Sequence, residues 1–243
     1  KWNAKRQFSK VMLRVTLGSD LVVLQRGAAD PFGLPALRVA DLLQFRTDGD
    51  WGHRVRLHGT VIFVSGNQLF IRDDTDDIQV RTDATIAAQP GDQVDVVGFP
   101  ARGRFSRAVI ENALVRNVGH TEAPEPVNLL PAEALADEAY GSLTRMQATL
   151  LSFERIKGSP RLLLQASNVV FSARFGPGEE RELSPIEPGS LLALTGISLG
   201  GLNVDGQKDL QLLLRSASDI QVLASPPWWN ASRTQRIASG FAL

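Results

Sequence analysis

The sequence predicts a mainly β protein made of two consecutive five-stranded barrels, and three observations lead to this prediction. Five strand-like segments, in which apolar and polar residues alternate, occur twice along the chain in the same order. The segments PGDQVDVVG and PGSLLALTG hold the same place in the two sets, at the start of the fourth strand. The connections are rich in turn residues, as in an antiparallel barrel whose closure leaves no sheet edge exposed.

The first repeat predicts its strands in order. HRVRLHGTVIFVSG is a long first strand, NQLFIRDD and IQVRT form a hairpin, PGDQVDVVGFPA is the fourth strand and SRAVIENALVRNVG the fifth. Gly59 lies in the middle of the first strand, where a glycine permits the bend that lets one strand pair on both sides of a barrel. The second repeat has no glycine at the matching place, so we expect its barrel to be less regular there.

The repeats also predict how the chain is divided. The predicted parts are 1–30, the last strand of a preceding unit; 31–120, the first barrel; 121–225, the second barrel; and 226–243, which ends in an apolar run. A short helix is expected before each barrel, at LPALRVADLLQF and PAEALADEAY. The first part is interpreted as a strand end because its Ser–Asp turn at Ser19–Asp20 is repeated at Ser218–Asp219. The chain opens at Lys1 without a methionine, which favours a piece of a longer protein.

Four aspartates stand close together between the second and third strands of the first repeat. They are Asp73, Asp74, Asp76 and Asp77. Carboxylates of this kind bind calcium, but a calcium loop of the EF-hand type needs acidic residues at alternate positions, a glycine at the bend and a later glutamate. This segment has neither the glycine nor the glutamate, and the matching segment of the second repeat has no acidic residue. We therefore predict a hairpin turn rather than a metal site.

Composition and motifs narrow the classes of function. Lysine plus arginine and aspartate plus glutamate number 26 each, so the net charge is zero, whereas dedicated nucleic-acid binders usually show a basic excess. The absence of cysteine excludes disulfides, thiolate nucleophiles and cysteine-ligated zinc. His53 and His58 fall on opposite faces of a strand and cannot share a metal ion. HExxH, GxSxG and P-loop motifs are also absent, so we predict no enzyme, no cofactor and no metal site in this chain.

A binding surface is the more promising functional feature. Small barrels of this type bind ligands on the face of strands two and three and on the loop after strand four. In the first repeat that surface comprises Phe70, Arg72, Arg81, Arg102, Arg104 and Phe105. Arginines next to aromatic rings can stack bases or hold anions. The alternative is that Phe70 belongs to the core and the arginines are exposed solubilising charges. The matching face of the second repeat, LLLQAS and NVVFSARF, is almost apolar, which favours packing against a neighbouring barrel or a partner over nucleic acid.

Three segments carry a resemblance to a known family. The run HGTVIFVSGNQLFIRDDTDDIQVRT, the segment PGDQVDVVGFPA and the ending LLLRSASDIQVLASPPWW resemble the OB-fold extracytoplasmic region of bacterial membrane-bound sensor proteins, chiefly histidine kinases and diguanylate cyclases. The resemblance covers residues 13–229. It implies tandem five-stranded OB-like Greek-key barrels with short connecting helices, located in the periplasm and attached to the cell membrane.

The resemblance also implies a role in signal transduction. The chain would be a sensory region that binds a small ligand or a protein partner and relays binding to a cytoplasmic kinase or cyclase module outside this chain. Trp228 and Trp229 would lie at the membrane interface before a C-terminal membrane helix, in a homodimer without a nucleic-acid partner. The alternative function is a single-stranded nucleic-acid-binding OB-fold protein that uses the arginine and phenylalanine side chains of the first repeat.

Overall fold

Two closed β barrels follow one another along the chain. The computed structural model describes residues 16–20, 22, 30–42, 53–103, 107–156, 159–176, 186–202 and 208–226. Within these ranges the helical segments are single 3-10 turns, at Gly18–Asp20, Pro31–Gly33, Val39–Asp41, Glu133–Leu135, Asp137–Ala139 and Ala217–Asp219. The predicted fold class, mainly β with tandem five-stranded barrels and short connecting helices, is confirmed.

The first barrel is built from five long strands and one short one. The strands are β1 Ala36–Leu37, β2 Val55–Ser65, β3 Gln68–Arg72, β4 Asp77–Arg81, β5 Asp92–Arg102 and β6 Ala108–His120. The ring runs β2–β3–β4–β6–β5 and closes because β5 also pairs with β2. The β4–β6 pair is parallel, and the other pairs of the ring are antiparallel. This is the Greek-key order of a five-stranded OB barrel.

The second barrel repeats this order. Its strands are β7 Val127–Asn128, β8 Leu143–Ile156, β9 Ser159–Ala166, β10 Val169–Phe175, β11 Leu191–Ser198, β12 Gly201–Leu202, β13 Lys208–Asp209, β14 Gln211–Leu214 and β15 Ile220–Ala224. The ring runs β8–β9–β10–β14–β11 and closes through the β11–β8 pair. Strands β14 and β15 together match β6, with a 3-10 turn between them.

The long first strand of each barrel serves two neighbours. Strand β2 pairs with β5 as far as Thr60 and with β3 from Thr60 onward, so the change of partner follows Gly59 directly. A side chain at Gly59 would place its Cβ 2.7 Å from the carbonyl oxygen of Arg72, which explains why glycine is needed there. In the second barrel the change of partner occurs at Thr149. Both strands have a bulge just after the change, so the irregularity predicted for the second barrel is common to both.

The duplication extends to the backbone at the start of the fourth strands. Gly91 and Gly189 both have positive φ angles, of 96° and 92°. Their N–H groups donate to the carbonyls of Val61 (2.9 Å) and Leu150 (2.7 Å), which are matching residues of the first strands. Between the second and third residues after these glycines, β5 and β11 each contain a register shift. The two barrels can therefore be compared residue by residue.

The predicted connecting helices are shorter than the sequence suggests. In the described part of LPALRVADLLQF, residues 34–42, β1 pairs in parallel with β2, and the helical part is the turn at Val39–Asp41. Before the second barrel, two 3-10 turns are separated at Ala136, which has extended backbone angles. Parallel pairing with the barrel takes the backbone hydrogen bonds that a longer helix would need.

Three apolar clusters stabilise the structure. One fills each barrel, and the third lies between the barrels. The third cluster, which we call the seam, contains Ile62, Phe63 and Phe70 of the first barrel with Leu143, Ile197 and Leu213 of the second. The seam makes the two barrels a single packed unit, and it decides which barrel faces are open to ligands.

Candidate ligand-binding face

The strand two and three face of the first barrel is largely covered by the second barrel. Phe70 points outward from β3, but it is only 1% exposed because it lies in the seam. Its ring meets Phe63 edge to face, with centroids 5.9 Å apart. A Cβ built on Gly141 would be 3.6 Å from the Phe70 ring. The structure therefore removes Phe70 from the predicted ligand surface and agrees with the alternative, in which it is a core residue.

Arg72 is also engaged in holding the barrels together. Its guanidinium forms two hydrogen bonds to Asp77, at 2.6 and 2.8 Å, and donates a third to the carbonyl of Glu125 at 3.0 Å. The carboxylate of Asp77 in turn accepts the N–H of Leu143 from the second barrel at 3.3 Å. Arg72 thus connects the first barrel to the segment between β6 and β7, and its role as a ligand contact stays a prediction.

The other predicted site residues do not form a common site with Phe70 and Arg72. Arg81 is half-exposed and pairs with Glu111 at 3.2 Å. Arg102 is exposed at the end of β5. Arg104 and Phe105 lie outside the described residues, and so do the predicted membrane-interface residues Trp228 and Trp229.

The aspartate cluster is a hairpin connection, as predicted. Asp73 accepts hydrogen bonds from the N–H groups of Val39 (2.7 Å), Thr75 (2.7 Å) and Asp76 (2.9 Å). Burial raises the pKa of Asp73, but these hydrogen bonds and one from the Thr75 hydroxyl outweigh burial and hold that pKa below its ordinary value. Asp76 pairs with Arg107 at 2.8 Å. In the described part of the chain, no group of three or more His, Asp or Glu side chains could hold a metal ion.

The matching face of the second barrel is partly open, because Arg161, Gln165 and Val170 are exposed whereas Ser172 at its centre is buried at 5% exposure. Its outward-pointing residues are Arg161, Leu163 and Gln165 on β9 with Val170, Ser172 and Arg174 on β10; we call this set the arginine face. Leu162, Leu164, Phe171 and Ala173 point inward to the barrel core. The alternation follows from the two-residue period of a strand. The face combines exposed apolar surface, such as the 51% exposed Val170, with two guanidinium groups.

Arg161 and Arg174 are directly opposite each other across β9 and β10. Burial lowers the pKa of Arg174, and the positive charge of Arg161 lowers it further. Arg174 donates to the side-chain oxygen of Gln211 at 2.9 Å, which supplies a hydrogen bond but no neutralising charge. Within the described ranges, neither arginine has a carboxylate at ion-pair distance, although Glu154 is the strand neighbour of Arg161. Like charges directly opposite on a sheet are destabilising, so the pair is unfavourable without an anion.

The duplication shows what is unusual about this pair. Arg174 occupies the position that Arg81 has in the first barrel, because, counted from the bulge of each first strand, the Gln68–Arg81 pair matches the Arg161–Arg174 pair. The partner of Arg81 is Glu111, and the matching residue of the second barrel is Leu213. The second barrel therefore has the same arginine, but the position of its acidic partner is occupied by an apolar residue of the seam. Among the described residues, Arg81 of the first barrel is in an ion pair, whereas Arg174 of the second barrel is not.

Sequence analysis missed this pair because it compared composition rather than register. The segments LLLQAS and NVVFSARF are almost apolar in overall composition. The turn between β9 and β10 is at Ser167 and Asn168, and counting outward from that turn places Arg161 opposite Arg174. The register of the hairpin was the signal that could have identified the pair.

No helix in the described ranges has the length and apolar character needed to cross a bilayer.

Comparison with known proteins gives structural neighbours only. No family model matches the chain, and no curated protein matches it. Among solved structures, the chain is similar to a murine DNA-binding protein bound to double-stranded DNA, at 12% identity over 70% of this chain and 99% of that chain, with a TM-score of 0.36. It is also similar to the HINa domain of Ifi202 in complex with 20-base-pair double-stranded DNA, at 10% identity over 72% and 98% of the two chains, with a TM-score of 0.37. A third is fission yeast Pot1 with single-stranded DNA, at 10% identity over 86% and 93%, with a TM-score of 0.33.

The expectation that nucleic acid is excluded as a partner is wrong. The similar solved structures include proteins bound to double-stranded and to single-stranded DNA. The physical reason for the error is that a net charge of zero averages over the whole chain. It does not exclude a local basic pair such as Arg161 and Arg174.

Proposed function

We propose that this chain is a nucleic-acid-binding module that holds a single strand on the arginine face of the second barrel. The observation that carries the proposal is the cross-strand pair Arg161 and Arg174, which forms no ion pair with a carboxylate of the described residues and lies at the position where OB barrels bind oligonucleotides. A phosphate between the two guanidinium groups relieves their repulsion and accepts charge-assisted hydrogen bonds. Binding of a phosphate therefore removes the repulsion that destabilises the unbound face.

The chemistry of the face favours a single strand over a duplex. Leu163 offers apolar surface next to the arginines and Val170 offers more further along the same face, and unstacked bases can cover this surface whereas paired bases cannot. A guanidinium plane can also stack on a base. The described face has no aromatic ring pointing outward, so binding relies on phosphate contacts more than on stacking and is expected to depend steeply on salt.

The burial of the first barrel's face in the seam favours binding of one nucleic-acid strand per chain. The equivalent face of the first barrel has its central residue, Phe70, buried against the second barrel, and its Arg81 is neutralised by Glu111. The first barrel then serves to hold the second in place. Because only the second barrel contacts the ligand in this proposal, substitutions at matching positions of the two barrels are expected to have different effects on binding.

An anisotropy titration tests the proposal. A fluorescein-labelled oligothymidylate of about 15 nucleotides, the upper range of an OB-fold site, is titrated between about 50 and 200 mM salt. Arg161→Gln and Arg174→Gln are each expected to weaken binding about tenfold, as expected for loss of a charge-assisted hydrogen bond. Each should also reduce the slope of log K against log salt by about 0.7.

The matched control is Arg81→Gln, which changes the same position of the first barrel and leaves Glu111 exposed to solvent. It is expected to leave affinity and slope unchanged. Absence of binding at low salt, or equal losses in all three variants, would refute the proposal.

A second candidate is the sensory region of a periplasmic, membrane-bound signalling protein. The observation that favours it is the resemblance of the ending LLLRSASDIQVLASPPWW, whose described part forms β14, the 3-10 turn and β15. In that role a ligand shifts an equilibrium between two states by its difference in affinity for them. Fractionation of cells that express the full-length gene product tests this candidate. Recovery in the membrane fraction supports it, and recovery only in the soluble fraction removes it.

A further inference from the structure

A buried carboxylate organises the outer surface of strands one, four and five in the first barrel. Asp95 has a side chain that is only 3% exposed. It accepts hydrogen bonds from Arg56 and Arg116, each at 3.0 Å, and contacts His58 at 3.1 Å. Burial raises the pKa of Asp95, but the hydrogen bonds from Arg116, His58 and Arg56 outweigh it and hold that pKa below its ordinary value. One carboxylate thus satisfies three donors.

The segment before the barrel completes this arrangement. Arg56 donates a further hydrogen bond to the carbonyl of Leu34 at 3.2 Å. Arg116 lies over the ring of Phe32, 4.2 Å from its centroid. The chain that leads into the barrel is therefore held against the strands through the partners of Asp95.

The second barrel repeats the surroundings but not the carboxylate. From the matching registers, Arg145 takes the place of Arg56, Gln147 that of His58 and Gln221 that of Arg116. The residue at the position of Asp95 is Ala193, which is buried at 4% exposure. The donors around this position are present, and the group that would accept their hydrogen bonds is absent.

A cleft lies where the carboxylate would be. Its lining includes Pro126, Arg145, Ala193, Thr195, Ser218 and Gln221. Arg145 donates to the side-chain oxygen of Gln221 at 3.0 Å, its only hydrogen bond to a described side chain. Two carboxylates also border the cleft. The carboxylate of Asp219 is bound by Arg215, at 2.7 Å, and by the N–H groups of Arg215 and Ser216, whereas that of Glu125 forms no ion pair within the described ranges.

We infer that this cleft binds a carboxylate in the place that Asp95 occupies in the first barrel. The guanidinium of Arg145 forms the two parallel hydrogen bonds that a carboxylate accepts, and the amides of Gln147 and Gln221 supply further donors. The hydroxyl groups of Thr195 and Ser218 line the same space. The carboxylate belongs either to a free small acid or to an acidic side chain of a peptide. This inference is independent of the arginine face, which lies on the other pair of strands.

A titration followed by amide chemical shifts tests the inference. Glutarate is the free acid, and a blocked Gly-Asp-Gly peptide carries the same group on a side chain. Glutaramide and the blocked Gly-Asn-Gly peptide are the neutral matches. We expect saturable shifts at Gln147, Thr195 and Gln221 with the acids and none with the amides, and the tighter of the two acids identifies the source. Shifts that are absent, or equal for acid and amide, overturn the inference.

Variants assign the binding to this cleft. Arg145→Gln is expected to abolish the shifts, whereas Arg102→Gln, an exposed arginine of the first barrel, leaves them unchanged. Ala193→Asp supplies the missing carboxylate from within the chain, and it is expected to abolish binding while retaining or raising the melting temperature. Its control is Ala173→Asp, which puts the same group into the barrel core and lowers the melting temperature strongly. If Ala193→Asp destabilises the protein as much as Ala173→Asp does, the inference is wrong.

Discussion

Arg81 and Arg174 occupy the same position in the two barrels, but Arg81 faces Glu111 and Arg174 faces Arg161. In the first barrel the charge is neutralised within the fold. In the second barrel, the position of the acid is taken by Leu213, which the seam requires to be apolar. The contact that joins the barrels thus also leaves the arginine face positively charged.

The repulsion between Arg161 and Arg174 predicts a stability effect opposite to the binding effect. Removal of one charge by Arg174→Gln is expected to raise the free energy of unfolding by about 0.2–1 kcal/mol, the usual size of a cross-strand charge term. Urea denaturation at low and high salt measures it, and the gain should shrink at high salt because salt screens the repulsion. A loss of stability in Arg174→Gln at both salt concentrations would contradict this account of the pair.

The buried position of Phe70 predicts a large loss of stability on truncation. Phe70→Ala is expected to lower the free energy of unfolding by about 3–5 kcal/mol, since it removes a buried ring and leaves a cavity in the seam. Urea denaturation checks this, with Phe99→Ala, at a half-buried ring beside Arg54, as the control of smaller effect. If Phe70→Ala were as stable as the wild type and lost ligand binding, the original prediction of a ligand contact would be right.

The close approach of the barrels at Gly176 predicts that even a methyl group disturbs the seam. A Cβ at Gly176 would overlap the hydroxyl oxygen of Ser65 and lie 2.7 Å from the Cβ of Ser65, so Gly176→Ala forces the barrels apart locally. We expect faster amide hydrogen exchange at Phe70 and Leu143. Gly18→Ala is the matched control, because nothing lies within 4 Å of a Cβ at Gly18. Unchanged exchange in Gly176→Ala would show that the seam does not need this approach.

The lowered pKa of Asp95 predicts acid sensitivity. A carboxyl group whose folded pKa lies below its unfolded value of about 3.9 contributes stability that is fully present above about pH 5 and is lost as the pH falls through the folded value. Asp95→Asn removes this contribution, so the variant is less stable near neutral pH and its stability falls less between pH 5 and acid conditions. Urea midpoints across that range test the prediction, and parallel curves for the two proteins would contradict it.

Sequence analysis predicted the strands well because their signals are local. The alternation of apolar and polar residues has the two-residue period of a strand. The five segments occur twice, so each repeat predicted the same order of strands independently. Gly59 was identified as the point where the first strand changes partner because a glycine permits the bend that lets one strand pair on both sides of a barrel. The aspartate turn was also predictable, since Asp side chains bond to nearby backbone groups.

The arginine face could not be predicted as the exposed face because its exposure depends on contacts between the barrels. Phe70 reads as a ligand residue when one barrel is considered alone, and its burial arises from Leu143 and Leu213, which are distant in sequence. Which of two similar faces is covered is decided by that packing. The charge state of the open face depends in turn on strand register, which a comparison of composition does not contain.

The most direct test of the central claim is a map of the bound strand on the protein. Amide chemical shifts recorded with and without an unlabelled oligothymidylate are compared for the two equivalent faces. The account predicts shifts at Leu163, Ser172 and Arg174 of the second barrel and none at Phe70 or Gln79 of the first. Shifts confined to the first barrel, or a complete absence of shifts at low salt, would contradict it.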